Sequence, residues 1–368
     1  MINEKRLLDT FIGYAMIDSE TKNEKAMGEK LVEDLKALGL EVKTDKAGEG
    51  FGSNGFNVCA YLPGTIPGEP TIMCAHMDTV TPGNGIKPLI DDGIIHTDGS
   101  TILSGDDKSG IAAIMEAVKV IKEQNLPCRN TEILFTIGEE GGMNGVKNMD
   151  LSMIKGKEAM VFDASGDVGK ILTCGPGQIK IFATIIGRSS HAGLAPEEGI
   201  SAIQVAAKGI AKMNLLRIDE ETTCNIGTLK AEYATNIVPE KAEFMAEVRS
   251  RNLDKLNAQA AHMQKCLQDA CDEMGAKLEI ELKTNYVSFN VANDDPMVQR
   301  VFESCKRIGC EPMTAKGGGG SDANVMALHG IKPIVLSTGM TKVHTTGETL
   351  KIENLNKCAE LVLDLMTH

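Results

Sequence analysis

Apolar runs of strand length recur along this chain, and each ends in a turn carrying a histidine or carboxylates: TIMCA before HMDTV (76–80), TEILFTIG before Glu139 and Glu140, AMVF before Asp163, PIVLSTG (333–339) before TKVHTTGETL. SGDDKSG (104–110) instead precedes IAAIMEAVKVI, where Ile111, Ile114, Met115, Val118 and Ile121 recur at helical spacing. Strands alternating with helices imply a mostly parallel sheet, and such sheets hold ligands beyond the C-terminal ends of their strands. His76, Asp106, Glu139, Glu140 and Asp163 are therefore expected to meet at one edge, with His344 as the candidate from the last run.

That meeting has a chemical implication. Carboxylates do not crowd in a folded interior unless a cation compensates them. His76 and Asp78, two apart at a strand end, share a face, and a carboxylate beside an imidazole fixes its tautomer for metal ligation. Alone, the pair reads equally as a hydrogen-bonded strand end. A mononuclear catalytic zinc takes three protein ligands and a water, whereas two metals about 3.5–4 Å apart take roughly five ligands, one of them bridging. Two histidines and several acids exceed the first need and match the second. Nitrogen and oxygen donors without thiolate suit zinc, cobalt or manganese.

Taken in order, HMDTV, SGDDKSG, GEEGG, FDASG, SSHAG and VHTTGE resemble the motifs of the peptidase T, aminoacylase and glutamate-carboxypeptidase superfamily of two-metal hydrolases. The resemblance spans nearly the whole chain, and GDDKSG, GEEGG and VHTTGETL bring it nearest the peptidase T-like branch. It implies that His76 and Asp163 hold one metal, Glu140 and His344 the other, and Asp106 bridges them. It also implies a cis peptide between Asp106 and Asp107, an orienting role for Asp78 behind His76, and Glu139 as general base. His191 in GRSSHAG becomes the donor to the developing oxyanion, and Asn236 in TNIVPE and Arg249 in EVRS become substrate contacts. Read without the resemblance, these last three are a surface-loop histidine, a turn asparagine and a strand-end salt bridge.

Residues 177–289 break the pattern and contain none of the ligand candidates. They read as strand, helix, strand, strand, helix, strand, the split βαβ arrangement of a ferredoxin-like domain. The expected fold is thus α/β: a discontinuous catalytic domain (1–176 and 290–368) with an inserted α+β domain, which relatives use as a lid and to form homodimers. GGGGSDAN (317–324) lacks the Gly-Lys-Ser/Thr ending of a phosphate loop and has no clear strand before it, so it reads as a wall of the active site.

Composition limits the partners. A length of 368 with 42% hydrophobic residues allows two domains with substantial cores. A net charge of -13 without a basic cluster argues against nucleic acid. No stretch approaches the roughly 20 apolar residues that span a bilayer, and the opening MINEKRLLDTFIGYAMIDSE reads as a helix rather than a signal peptide. Ten scattered cysteines without a CxxC pair suit reduced residues of a cytoplasmic protein. His96, His262, His329 and His368 are assigned no ligand role. The resulting expectation is a two-zinc aminopeptidase of tripeptidase type acting on small peptides. An N-acyl amino acid amidohydrolase or carboxypeptidase with the same metal site is the enzymatic alternative, and a non-catalytic metal or peptide binder the alternative of another class.

Overall fold

The computed structural model describes residues 1–368. It divides into one compact unit of Met1–Cys174, Asn290–Gly317 and Ser321–His368, and a second of Gly175–Phe289 with Gly318–Gly320. Nothing in the residue order foretells that three residues of the glycine-rich stretch group with the second unit.

The first unit is built on a mixed, nine-stranded sheet with a parallel centre. Across it run Glu41–Thr44, Val58–Leu62, Arg129–Thr136, Ile66–His76, Glu158–Ala164, Lys332–Ser337, Lys170–Gly175 and Phe289–Asn290, with Met313–Lys316 paired to Lys170–Gly175. Ile66–His76 lies parallel to both Arg129–Thr136 and Glu158–Ala164, which in turn lies parallel to Lys332–Ser337. These central strands are covered on both faces, so their buried stretches read as continuous apolar runs instead of alternating. The helix Gly105–Gln124 is buried along nearly its whole length and packs with Ile352–Thr367 and Glu4–Ala15. Ile352–Thr367 turns Leu355, Cys358, Ala359, Val362 and Met366 inward at helical spacing.

Two features of this unit escaped the sequence reading. The short strand Met313–Lys316, mixed in polarity, does feed the glycine-rich loop. A small separate sheet joins Leu89–Asp91, Ile94–His96, Met340–Thr341 and Thr349–Lys351, so His344 sits in the loop of a hairpin closed by Thr341 opposite Thr349.

The second unit is a five-stranded antiparallel sheet in the order Leu216–Arg217, Thr222–Lys230, Lys241–Ser250, Gly177–Ile186, Lys277–Tyr286. The helices Ala202–Ala211 and Leu253–Met274 supply its own apolar core with Ile181, Ile185, Phe244 and Val248. This is the ferredoxin-like βαββαβ arrangement. No helix of the protein is long and apolar enough to cross a membrane.

Candidate active site

His76 ends its strand, Asp163 lies one residue before the end of Glu158–Ala164, and Glu139 and Glu140 follow Arg129–Thr136 by a turn, so three parallel strands deliver their side chains to one edge. Gly138 makes that turn with φ +61°, and a Cβ there would lie 2.7 Å from the Phe51 ring. Asp106 and Asp107 depart from helical geometry in the first turn of Gly105–Gln124, and the peptide between them is cis. Gly110 lets that turn close on the strand end, since a Cβ would come within 2.7 Å of the Phe162 carbonyl.

The side chains converge on Asp106. Its Oδ1 lies 3.0 Å from His76 Nε2 and its Oδ2 3.1 Å from His344 Nε2. His344 Nε2 also lies 2.9 Å from Glu140 Oε1, and His76 Nε2 is 3.7 Å from Asp163 Oδ1. His76 is buried, whereas the His344 side chain keeps 53% of its exposure. His76 Nδ1–H donates to the Asp78 main-chain oxygen at 2.9 Å, which turns Nε2 toward Asp106 and Asp163. The Asp78 carboxylate lies farther off, 3.5 Å from Nδ1. It instead accepts the Glu139 N–H at 2.9 Å, the Glu140 N–H at 3.2 Å and the Thr21 hydroxyl at 2.7 Å. One acid thus ties the histidine's strand to the two-glutamate turn.

Charge crowding is visible in the titration of these groups. Burial, with Asp106 and Glu140 adding to it, pushes the Asp163 carboxyl up to about 7. Burial and then the charge of Asp163 hold Glu139 well above the usual carboxylate range. Burial pushes Asp106 the same way, but hydrogen bonds from His344 and His76 outweigh it and hold it below that range. Hydrogen bonds to Asp106 and Glu140 push His344 up to about 10. Ligand atoms of His76, Asp106 and Glu140 lie within 4.8 Å of one another, as do those of His76, Asp107 and Asp163. A compact set of imidazole nitrogens and carboxylate oxygens, with acids strained toward neutrality, fits divalent cations. Asp107 is drawn off toward the backbone, accepting the His76 N–H at 3.2 Å and the Gly110 N–H at 3.3 Å.

A profile for peptidase family M20/M25/M40 matches residues 72–368. The chain belongs to that family. It is similar in structure to the aminopeptidase PepT of Bacillus cereus, with a TM-score of 0.94 at 43% identity, covering 100% of this chain and 98% of that one. A tripeptidase from Staphylococcus aureus is similar with a TM-score of 0.95 at 38% identity, with the same coverage. The peptidase T of Pasteurella multocida is 25% identical over 418 residues, spanning 100% of this chain and 99% of that protein. The peptidase is a metal-dependent hydrolase of peptide bonds.

Three anticipated residues lie in the second unit. His191 is exposed, and its Nδ1 accepts the N–H groups of Gly193 at 3.1 Å and Leu194 at 3.2 Å. That fixes the proton of the neutral ring on Nε2, which is left as an outward donor. Asn236 is exposed on the neighbouring segment, where its main-chain oxygen accepts the Ala192 N–H at 2.9 Å. Arg249 is held by Glu247 on its own strand, Nε to Oε1 at 2.8 Å. Of the histidines assigned no ligand role, two do pair with an acid, His96 with Asp91 at 2.8 Å and His368 with Asp364 at 3.4 Å.

The sequence reading passed over three groups around the site. Thr21, on the loop before the second helix, gave no signal. Asp322, read only as part of the glycine-rich wall, is buried, accepts the Thr136 hydroxyl at 2.5 Å, and is pushed up to about 7 by burial. Glu348, four residues after His344, was legible as an acid in VHTTGETL but carried no assigned role.

Proposed function

We propose that the peptidase is an aminopeptidase of short peptides, tripeptides foremost, that works with two divalent cations per subunit, zinc in the first place and cobalt or manganese as substitutes. The observation that carries this reading is Asp106, whose two oxygens each face a different histidine. His76 and Asp163 would hold one cation, His344 and Glu140 the other, and Asp106 both. When bound, such a pair would polarise the scissile carbonyl and lower the pKa of the attacking water.

Glu139 is the proton carrier in this reading. Its main chain is fixed by Asp78 beside the ligand Glu140, where its carboxylate can take a proton from the attacking water and return it to the leaving amine. Asp78 orients His76 and the two-glutamate turn together. His191 offers Nε2–H as the donor to the developing oxyanion, and Asn236 and Arg249 contact the substrate. The inserted unit acts as lid and homodimer contact, a role supported by exposed Leu194, Ile237 and Tyr233 on the segments around His191 and Asn236. Ten cysteines, all free, support a reducing, cytoplasmic setting.

The test is a substrate panel for the zinc- or cobalt-loaded protein: di-, tri- and tetrapeptides with N-blocked and C-blocked versions, beside N-acetyl amino acids. Cleavage of tripeptides that requires a free N-terminus supports the aminopeptidase. Turnover of N-acylated substrates alone would move the protein to amidohydrolase chemistry.

A further inference from the structure

The reading above leaves the buried acid Glu348 without a task. Glu348 is 1% exposed, yet its carboxylate accepts three main-chain N–H groups from the loop that delivers Asp106: Leu103 and Ser104 on Oε2, both at 2.9 Å, and Asp106 itself on Oε1 at 2.8 Å. Ser104 is left-handed (φ +63°), so successive N–H groups turn inward and form a concave anion cradle. The cradle opens the long helix Gly105–Gln124, whose N-terminal dipole favours the same charge. Gly105 permits the approach, since a Cβ there would stand 3.0 Å from Glu348 Oε1.

The other end of this tie is the His344 loop. The Glu348 N–H donates to the Thr345 carbonyl at 3.1 Å, the Thr345 hydroxyl to the Lys342 carbonyl at 2.7 Å, and the Gly347 N–H to the Thr345 hydroxyl at 3.2 Å. The hairpin that carries His344 is thereby a compact turn ending on a carboxylate seated under Asp106. Asp106 and His344 are remote in sequence, and the hairpin's own strand pairing is only two residues long on the Met340–Thr341 side. We propose that Glu348 is a positioning residue that sets the separation of His344 from Asp106 and Glu140, and so decides whether the second divalent cation is held. The inference rests on the two-cation reading.

Chelator-treated full-length protein titrated with Co²⁺, followed by its visible absorption and by calorimetry, separates the two ideas. Wild type should take up two equivalents. Glu348→Gln should take up the first as wild type does and bind the second about 10- to 100-fold more weakly, the usual cost of losing an outer partner of a ligand. Gly105→Ala, which displaces the carboxylate without removing it, should give the same selective loss and guards against a folding defect peculiar to Glu348→Gln. Equal weakening of both equivalents, or of neither, in both variants would overturn the positioning role while the two-cation reading stands. A wild type that binds a single equivalent would remove that reading and the inference with it.

Discussion

Asp78→Asn should weaken the fold and the metal centre together, by an amount the geometry allows to be worked out. The carboxylate accepts the Glu139 N–H on Oδ1, and the Glu140 N–H and Thr21 hydroxyl on Oδ2. An asparagine keeps one of the two oxygens. The better orientation keeps Oδ2, which serves two donors, and turns its NH₂ group against the Glu139 N–H. A hydrogen bond to a charged acceptor contributes about 1.5–3 kcal/mol, and the stranded donor costs about 1–3 kcal/mol more. Glu139 is only half-buried, so water recovers part of this and a net loss of about 2–4 kcal/mol is expected. Urea unfolding of the chelator-treated protein measures it. Zinc affinity should fall about 10- to 100-fold in the same variant, because an amide opposed to the Glu139 N–H displaces the turn that also carries Glu140. Thr21→Val removes one of the Oδ2 donors and should combine non-additively with Asp78→Asn. A stability loss under about 1 kcal/mol with unchanged zinc affinity would refute the idea that this carboxylate ties the two segments.

Three further outcomes can be measured. Glu139→Gln should lower kcat by about 10²- to 10⁴-fold with its zinc content intact, and loss of metal on elemental analysis would mean that Glu139 and Glu140 had been exchanged. His191→Ala should cut kcat by about 10²-fold or more while both cations bind as before, and unchanged turnover would leave His191 a surface histidine. Because hydrogen bonds to Asp106 and Glu140 push His344 up to about 10, its ring stays protonated at neutral pH in chelator-treated protein. A cation must displace that proton, so zinc affinity should climb from about pH 6 to about pH 9 with buffer-dependent heat in calorimetry, and a flat profile would contradict the pairing. The sign for stability is opposite: the raised pKa favours folded chelator-treated protein fully below about 6.5, and that gain fades as pH rises through about 10.

The strands and the residues that stand at their ends are legible in the residue order alone. A strand buried on both faces cannot hide its pattern, so PTIMCAH, TEILFT and AMVF were legible as central strands, and the parallel rule then put His76, Glu139, Glu140 and Asp163 at one edge. The helical period did the same for the helix carrying Asp106. How these groups are held apart and braced came from folding. That Asp106 turns one oxygen to each histidine, that Asp78 spends its carboxylate on the N–H groups of Glu139 and Glu140 while its carbonyl holds His76, and that Glu348 sits in a cradle of main-chain donors are all long-range facts. Thr21, Asp322 and Glu348 were missed for the same reason. Their partners, the Asp78 carboxylate for Thr21, the Thr136 hydroxyl for Asp322 and three main-chain N–H groups for Glu348, are brought close only by folding, and a backbone N–H has no letter in a sequence.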